Sequence, residues 1–533
     1  MEWPSIRDFL DVPSHLTGEN IAIAVVDGYF PPHPDITTNN QRHVYLVKTS
    51  EADIKPQLFQ RSEAPWRSNH GLMTAAAAAG SGSLASGYYT GAAPEADLYL
   101  LETGAFRTVE ESEDKFVIAL SWLLKNFRRY GIRGVVLTLA YTRDTGLLPW
   151  QADPIRVYCE KLATEGLLVV VASGNTKELT CSGPASSPSV LSVGGVIVPQ
   201  NQDVIIPYHG CRGITFEGKR IPEILAPAEN VVLPLPFQST DEYDNHYTAP
   251  FDKLPYGYAR TEGTSYAAPI VLGCAACIWQ ANPEWTASQV EFAMKMTAVY
   301  KDEWHGAVAG LVNVKAAAAY PAKSFTKAHN QNNNETAVLD ERRLISSVLS
   351  KGNEISCCKT TDELKILLIN SPFPKVRAAS LIKLAASSEI TYNIMEVMLN
   401  DLNSYVRMAA LFVLHNREDM WSELSSKLIE LFKDQDINIQ YCAIKLASVI
   451  GDPSFIKPLI SGLLDDAVKQ RVSTFGARCE GLQLLTGIFY EPEPEFRDGQ
   501  CFYSELSTQS RISVALKWQQ YTATSSYEAN RET

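Results

Sequence analysis

The chain has 533 residues, 45% hydrophobic and 20% charged, the balance of a globular protein long enough for roughly three domain-sized units. A formal net charge of −13 argues against a nucleic-acid binder driven by phosphate contacts and fits protein or peptide partners. Ten scattered cysteines, no basic-then-apolar leader and a longest apolar run of fourteen residues (Tyr266 to Trp279) lead us to expect reduced thiols, no bilayer-spanning segment and a cytoplasmic location.

In chain order, Ile21 to Val26 is continuously apolar and β-branched, as a strand buried on both faces requires. It ends in Asp27-Gly28, and a proline-rich loop with His33-Pro34-Asp35 follows. Asn69-His70-Gly71 opens an alanine tract, Ala75 to Ala79, predicted as a helix closed by Gly80. Strands are predicted at 98–101, 134–139, 167–173 and 190–196, and helices at 114–130 and 153–165. Strands separated by helices imply α/β architecture, a mostly parallel sheet with helices on both faces. The strand at 167–173 runs into Gly174-Asn175, and Gly263-Thr264-Ser265-Tyr266-Ala267-Ala268-Pro269 places a serine at the threshold of an apolar helix predicted from Ala267 to Ala281. Pro269 is expected in the first turn of that helix, where a missing N–H costs nothing.

Alone, Asp27 and Asn175 read as turn residues and His70 as a surface or core histidine. Together with Ser265 they supply a hydroxyl, an imidazole, a carboxylate to orient it and an amide donor for an oxyanion, the set that nucleophilic acyl transfer needs. The chain order is Asp, His, Ser.

Residues 20 to about 320 resemble the subtilisin-like (S8) serine peptidases. The matching segments, in order, are Ala24-Val25-Val26-Asp27, His33-Pro34-Asp35, Asn69-His70-Gly71, Gly91-Ala92-Ala93-Pro94-Glu95-Ala96, Val171-Ala172-Ser173-Gly174-Asn175, Pro184 to Val190, Ala226-Pro227, Gly263 to Pro269 and Gly310-Leu311-Val312-Asn313. The resemblance implies Ser265 as nucleophile, His70 as general base, Asp27 as its orienting partner and Asn175 in the oxyanion hole. It implies substrate contacts at Thr138, Leu139, Ala140, Ser173 and Gly174. No cofactor is required; relatives often hold structural calcium, but no ligand set for it, and no other metal site, can be picked out from this sequence. The chain departs from the family in four places. The turn after Asp27 is one residue short, Leu72-Met73-Thr74 replaces the second histidine and its neighbours, Thr138-Leu139-Ala140-Tyr141 lacks the groove glycines, and Tyr266 replaces the usual methionine. About twenty residues precede the first strand, too few for the N-terminal prodomain of secreted relatives, so restraint is expected from narrow specificity or a partner. Cys274 and Cys277 are read as core residues rather than a metal or redox pair.

The peptidase domain is expected over 1–322 and a polar linker over 323–337. An internal repeat follows. Val376-Arg377, Val406-Arg407 and Ile439-Gln440 recur 30 and then 33 residues apart, with Asp401 and Asp434 each five before their repeat's apolar residue. A fourth unit near Val472 is degenerate, and Arg511 to Trp518 is expected as a cap. The pattern resembles HEAT-type repeats, an all-α helical solenoid over 338–490 with a cap and tail over 491–533. The resemblance implies a protein partner on the repeats, serving substrate selection or regulation, in an arrangement that also fits a triggered defence or stress module. The alternative from another class is a silent pseudopeptidase that acts as a binding scaffold; neither reading invokes a nucleic acid or a membrane.

Overall fold

A computed structural model describes residues 3–51, 53–62, 70–104, 109–138, 146–181, 183–200, 204–235, 254–255, 257–301, 304, 309–323, 336–349, 360–385, 389–490 and 507–529. Along the chain, two compact units change over at residues 332 and 333.

The first unit is built on strands β1 (Ala22–Asp27), β2 (Val44–Lys48), β3 (Gln57–Leu58), β4 (Asp97–Glu102), β5 (Ile132–Leu137), β6 (Leu168–Ala172), β7 (Leu191–Ile197) and β8 (Ile206–Pro207). The short β9 (Gly213–Ile214) and β10 (Arg220–Ile221) form a separate pair, and β11 (Ile224–Pro234) and β12 (Tyr258–Glu262) complete the main sheet. Its order is β12-β11-β7-β6-β5-β1-β4-β2-β3, with β8 on β7. Pairing from β11 through to β2 is parallel, while β12, β3 and β8 attach antiparallel. β1 lies between β4 and β5, so both its edges are paired, and its residues Ile23 to Asp27 are buried on both faces, so its sequence has no alternation. Ile23, Val25 and Val26 are fully buried, each contributing about 1.5–3 kcal/mol.

β11 has no counterpart among the predicted strands. Its sequence, with Pro227 and Glu229-Asn230 inside it, lacks the apolar run of a buried strand, and the parallel register shifts between Pro227 and Glu229. A bulge accommodates a proline that has no N–H for the ladder.

The helix His70–Ala79 is buried from Gly71 onwards, and its small side chains allow close packing against the helix Thr264–Ala281. At its C-terminus Gly80 N–H donates to Ala76 O at 2.7 Å, and the buried Arg42 guanidinium donates to the Ala79 carbonyl and, at 2.6 Å, to Asp35 O. A cation there opposes the negative end of the helix dipole. The predicted helix at 114–130 spans Val109–Asn126; that at 153–165 spans Pro154–Thr164, capped by Asp153.

The Ser265 helix corrects the sequence reading in two respects. It begins at Thr264 rather than Ala267, so Ser265 lies inside the first turn. Pro269 therefore falls in the second turn, where it has no N–H to give to the Ser265 carbonyl. At 18 residues the helix is longer than the apolar run within it, and by length and composition alone it could cross a bilayer. It is a core helix, 78% buried, lying against β1, β5, β6, β7 and β11.

Among the described residues of the second unit, the regular elements are all helices, joined by turns. The helices Pro374–Leu384, Ser404–His415, Ile437–Ile450 and Val472–Thr486 pack in succession, each on the next. The repeated residues mark the joints. Arg377 Nη2 donates to Asp401 Oδ1 at 2.8 Å and Arg407 Nη2 to Asp434 Oδ1 at 2.7 Å, each with a second bond from Nε. Arg407 Nη1 also donates to Asp401 O at 2.7 Å, and Gln440 Nε2 to Asp434 O at 2.5 Å. The predicted cap falls in the helix Thr508–Ala529. Arg407→Ala removes the fork that joins two successive helices and leaves the largely buried Asp434 without it. We expect a loss of about 1.5–3 kcal/mol in the unfolding of this unit, read by denaturant titration of its helical circular dichroism.

Candidate active site

β1 and β6 end in Asp27 and just before Asn175, and Thr138 directly follows β5. All three thus stand at carboxyl ends of parallel strands, where open α/β sheets build their sites. Asp27 is buried, and its Oδ2 lies 2.8 Å from His70 Nδ1. That contact commits Nδ1 as the protonated nitrogen and leaves Nε2 free to take a proton. The carboxylate is saturated on its other sides. Thr74 Oγ1 donates to Oδ2 at 3.0 Å, Thr138 Oγ1 to Oδ2 at 2.9 Å and Gly28 N–H to Oδ1 at 2.7 Å. The turn that is one residue short therefore still aims Asp27 at the histidine.

Ser265 Oγ donates to Thr138 O at 3.1 Å. Thr138 thus touches both ends of the set, its hydroxyl on Asp27 and its carbonyl under Ser265. In this resting geometry the described residues show no Ser265–His70 hydrogen bond; such bonds commonly tighten only when substrate arrives. Gly263 enters the turn at φ 139°, a conformation closed to residues with a Cβ, and a Cβ there would lie 3.4 Å from Asn175 Nδ2.

Asn175 is oriented by its neighbour. Thr264 N–H donates to Asn175 Oδ1 at 2.9 Å and Thr264 Oγ1 donates to the same oxygen at 2.8 Å. A backbone N–H can only donate, so the atom facing it is the amide oxygen, and Nδ2 is the atom turned toward the Ser265 turn. Gly174 N–H donates to Thr264 Oγ1 at 3.2 Å and closes the loop.

The other expected substrate contacts divide. The Thr138 side chain is buried against Asp27 and Val26 O, which leaves its backbone to face an extended substrate. Leu139 and Ala140 lie outside the described residues. Gly174, at φ 108°, presents partly exposed backbone, and Ser173 is fully buried with its Oγ unpartnered, lining a small cavity with Gly194, Tyr208, Gly210 and Pro222.

Two of the family departures answer each other. Tyr266 OH lies 3.3 Å from Met73 Sδ, and the Tyr266 ring centroid is 5.9 Å from that of His70. Tyr266 thus flanks the imidazole while its tip rests on a residue that itself departs from the family. Gly71 is held to glycine by the Tyr29 carbonyl, which a Cβ would meet at 2.1 Å. Thr74 and Thr264 went unrecognised in the sequence, although one signal was present. Thr74 lies four residues after His70 and so on the same helix face.

Cys274 and Cys277 are fully buried, their thiols pushed up by burial, Cys277 to about 12. They act as core residues, and Cys277 Sγ donates to Leu16 O at 3.1 Å.

Burial pulls the His70 pKa down, but the Asp27 charge and hydrogen bond outweigh it and hold it above 6.5. Burial also opposes the Asp27 charge, yet His70, Gly28 and Thr138 keep that carboxyl below 3.8. The stabilisation from the charged pair is therefore complete between about pH 3.8 and 6.5, fades as pH rises through the raised His70 pKa and is lost as pH falls through the lowered Asp27 pKa. Proton abstraction runs the other way, because only neutral His70 can accept. We expect kcat/KM to climb with pH on a limb whose apparent pKa exceeds 6.5, and Asp27→Asn to move that limb to lower pH, as read from pH–rate profiles.

Residues 18–338 match the subtilase family, peptidase S8. The serine protease AprX of Bacillus subtilis (strain 168) is 28% identical over 305 residues, 54% of this chain and 63% of its own length. The subtilisin-like protease PopC of Myxococcus xanthus (strain DK1622) is 27% identical over 315 residues, 56% of this chain and 60% of its own. Fervidolysin from Fervidobacterium pennivorans aligns structurally with a TM-score of 0.45 and 19% identity, covering 59% of this chain and 45% of that one. The chain thus spans less than two thirds of the length of these relatives. The family match nevertheless runs through Asp27, His70, Asn175 and Ser265 and over more than half of the sequence, and the chain belongs to the subtilase family.

Proposed function

We propose that the chain is a serine endopeptidase acting on proteins or peptides through an acyl-enzyme, with Asp27, His70 and Ser265 as its triad. His70 Nε2 takes the Ser265 proton as Oγ attacks the scissile carbonyl. The oxyanion is received by Asn175 Nδ2 and the Ser265 N–H, and His70 then returns the proton to the departing amine. Water, deprotonated by the same imidazole, hydrolyses the ester. Asp27 orients His70 and balances its cation throughout. The chemistry requires no cofactor.

The observation that carries this reading over a silent scaffold is the fixed Asn175 amide. Two hydrogen bonds from Thr264 hold Asn175 Oδ1 and leave Nδ2 on the side of the Gly263 turn, an orientation suited to donating to an oxyanion. Cleavage of a denatured protein substrate by wild type but not by Ser265→Ala supports the proposal; equal cleavage by both sinks it.

The helical unit, with its resemblance to HEAT-type repeats, is proposed to bind a protein partner and to select substrates or receive a regulatory signal, in a defence or stress setting. Its stacked helices offer an extended surface suited to docking. A cytoplasmic location belongs to the same proposal and is supported by the buried free thiols at Cys159, Cys211, Cys274 and Cys277. Deleting residues 338–533 should change substrate choice or activity in cells; unchanged behaviour would remove the docking role.

A further inference from the structure

We propose that His209, Glu229 and Glu262 form a binding site for a divalent transition metal of the zinc class, separate from the reacting groups. One nitrogen of His209 and one oxygen from each carboxylate all lie within 4.8 Å of one another. The donors come from separate segments. Glu229 and Glu262 are register partners across β11 and β12, and His209 lies on the stretch after β8. Like charges directly opposite on neighbouring strands destabilise a sheet, and a dication between them reverses that sign.

The spacing suits coordination better than a direct contact. His209 Nε2 stands 4.0 Å from Glu262 Oε1, too far for a hydrogen bond. Two ligands of a tetrahedral zinc, each about 2.1 Å from the ion, sit about 3.4 Å apart, so small side-chain rotations close the set. The donors are already partly held. Tyr208 OH donates to Glu262 Oε1 at 3.1 Å, and the Tyr208 ring centroid is 4.1 Å from that of His209. Such outer partners commonly orient metal ligands. With the His209 and Glu262 side chains 47% and 45% exposed, an ion enters from solvent and keeps water in the open position. The imidazole sets the class of metal. Calcium takes six to eight oxygens, whereas mixed nitrogen and carboxylate sets suit zinc and its neighbours.

An ion here would clamp the frame of the active site. Glu262 directly precedes Gly263, whose N–H donates to Ala228 O at 2.7 Å, beside Glu229. Gly210, next to His209, packs so closely on Gly174 that a Cβ would lie 2.7 Å from the Gly174 carbonyl and 3.2 Å from Thr264 Cγ2. The three ligands therefore join the strand that delivers Ser265 to the segment behind Asn175.

The test titrates Zn²⁺ alone into the full-length Ser265→Ala protein, which cannot digest itself, by calorimetry. His209→Ala and Glu262→Gln are made in the same background, and their metal-free melting curves verify folding. We expect a saturable zinc event whose affinity falls about tenfold or more in each variant, and which excess Ca²⁺ does not displace. No saturable binding, an isotherm unchanged in both folded variants, or displacement by Ca²⁺ overturns the proposal. Glu229→Gln is a third variant of the same prediction should either of the first two fail to fold.

Discussion

Ser265→Ala will lower kcat about 10⁶-fold, His70→Ala will do the same, and the double variant will lose little more. The two side chains act as one unit, since a hydroxyl without its base is a weak nucleophile and a base without the hydroxyl has no proton to move. Thr138 links the two ends of the set, holding the Asp27 carboxylate with its side chain at 2.9 Å and the Ser265 hydroxyl with its carbonyl at 3.1 Å; for attack the hydroxyl exchanges Thr138 O for His70 Nε2. Residual turnover of about 10³–10⁴ over water should survive in all three variants, carried by Asn175 and substrate binding. Single-turnover measurements on a peptide ester separate these values. Losses that multiply to about 10¹² in the double variant would mean that Ser265 and His70 work independently.

Asn175→Asp and Asn175→Leu should each reduce kcat about 10²–10³-fold with KM little changed, because the donor acts on charge that exists only in the transition state. The pair of variants separates two roles. Aspartate keeps an oxygen for the Thr264 N–H and hydroxyl, now 2.9 and 2.8 Å from Asn175 Oδ1, but loses the donor and adds negative charge beside the oxyanion. Leucine loses both roles, so it should also loosen the loop through Gly174. If Asn175→Asp retained wild-type kcat, Nδ2 would have no part in the chemistry.

The residues proposed to react were picked out in the sequence by their ordered match to the family's motifs, and each stands at or near the end of an element with a strong pattern. Asp27 closes an uninterrupted apolar strand, Asn175 follows another, and His70 and Ser265 open small-residue helices. Their supporters were not. Thr74 and Thr138 matter through contacts to Asp27 that only the fold creates, and Thr264 looked like one more small residue in a turn. The start of the Ser265 helix was misplaced by three residues because Pro269 was read as a first-turn proline, whereas buried packing of the helix tolerates it one turn later. β11 escaped because its prolines and polar residues break the strand pattern, while parallel pairing with β7 and a bulge absorb them. In the second unit the repeat spacing was visible, and Arg377, Arg407 and Gln440 show its physical basis, each bonding to Asp401 or Asp434 in the turn that precedes a helix. His209, Glu229 and Glu262 carry no local signal, since three distant segments must meet before they resemble a ligand set.

Covalent labelling by a fluorophosphonate reads out whether Ser265 is an activated nucleophile. We expect labelling of the wild-type full-length chain at Ser265, none in Ser265→Ala, and much slower labelling in His70→Ala. A folded wild-type chain that resists the probe across pH 6 to 9 (roughly the span over which a histidine with a raised pKa passes from charged to neutral), or one labelled equally well after Ser265→Ala, would contradict it.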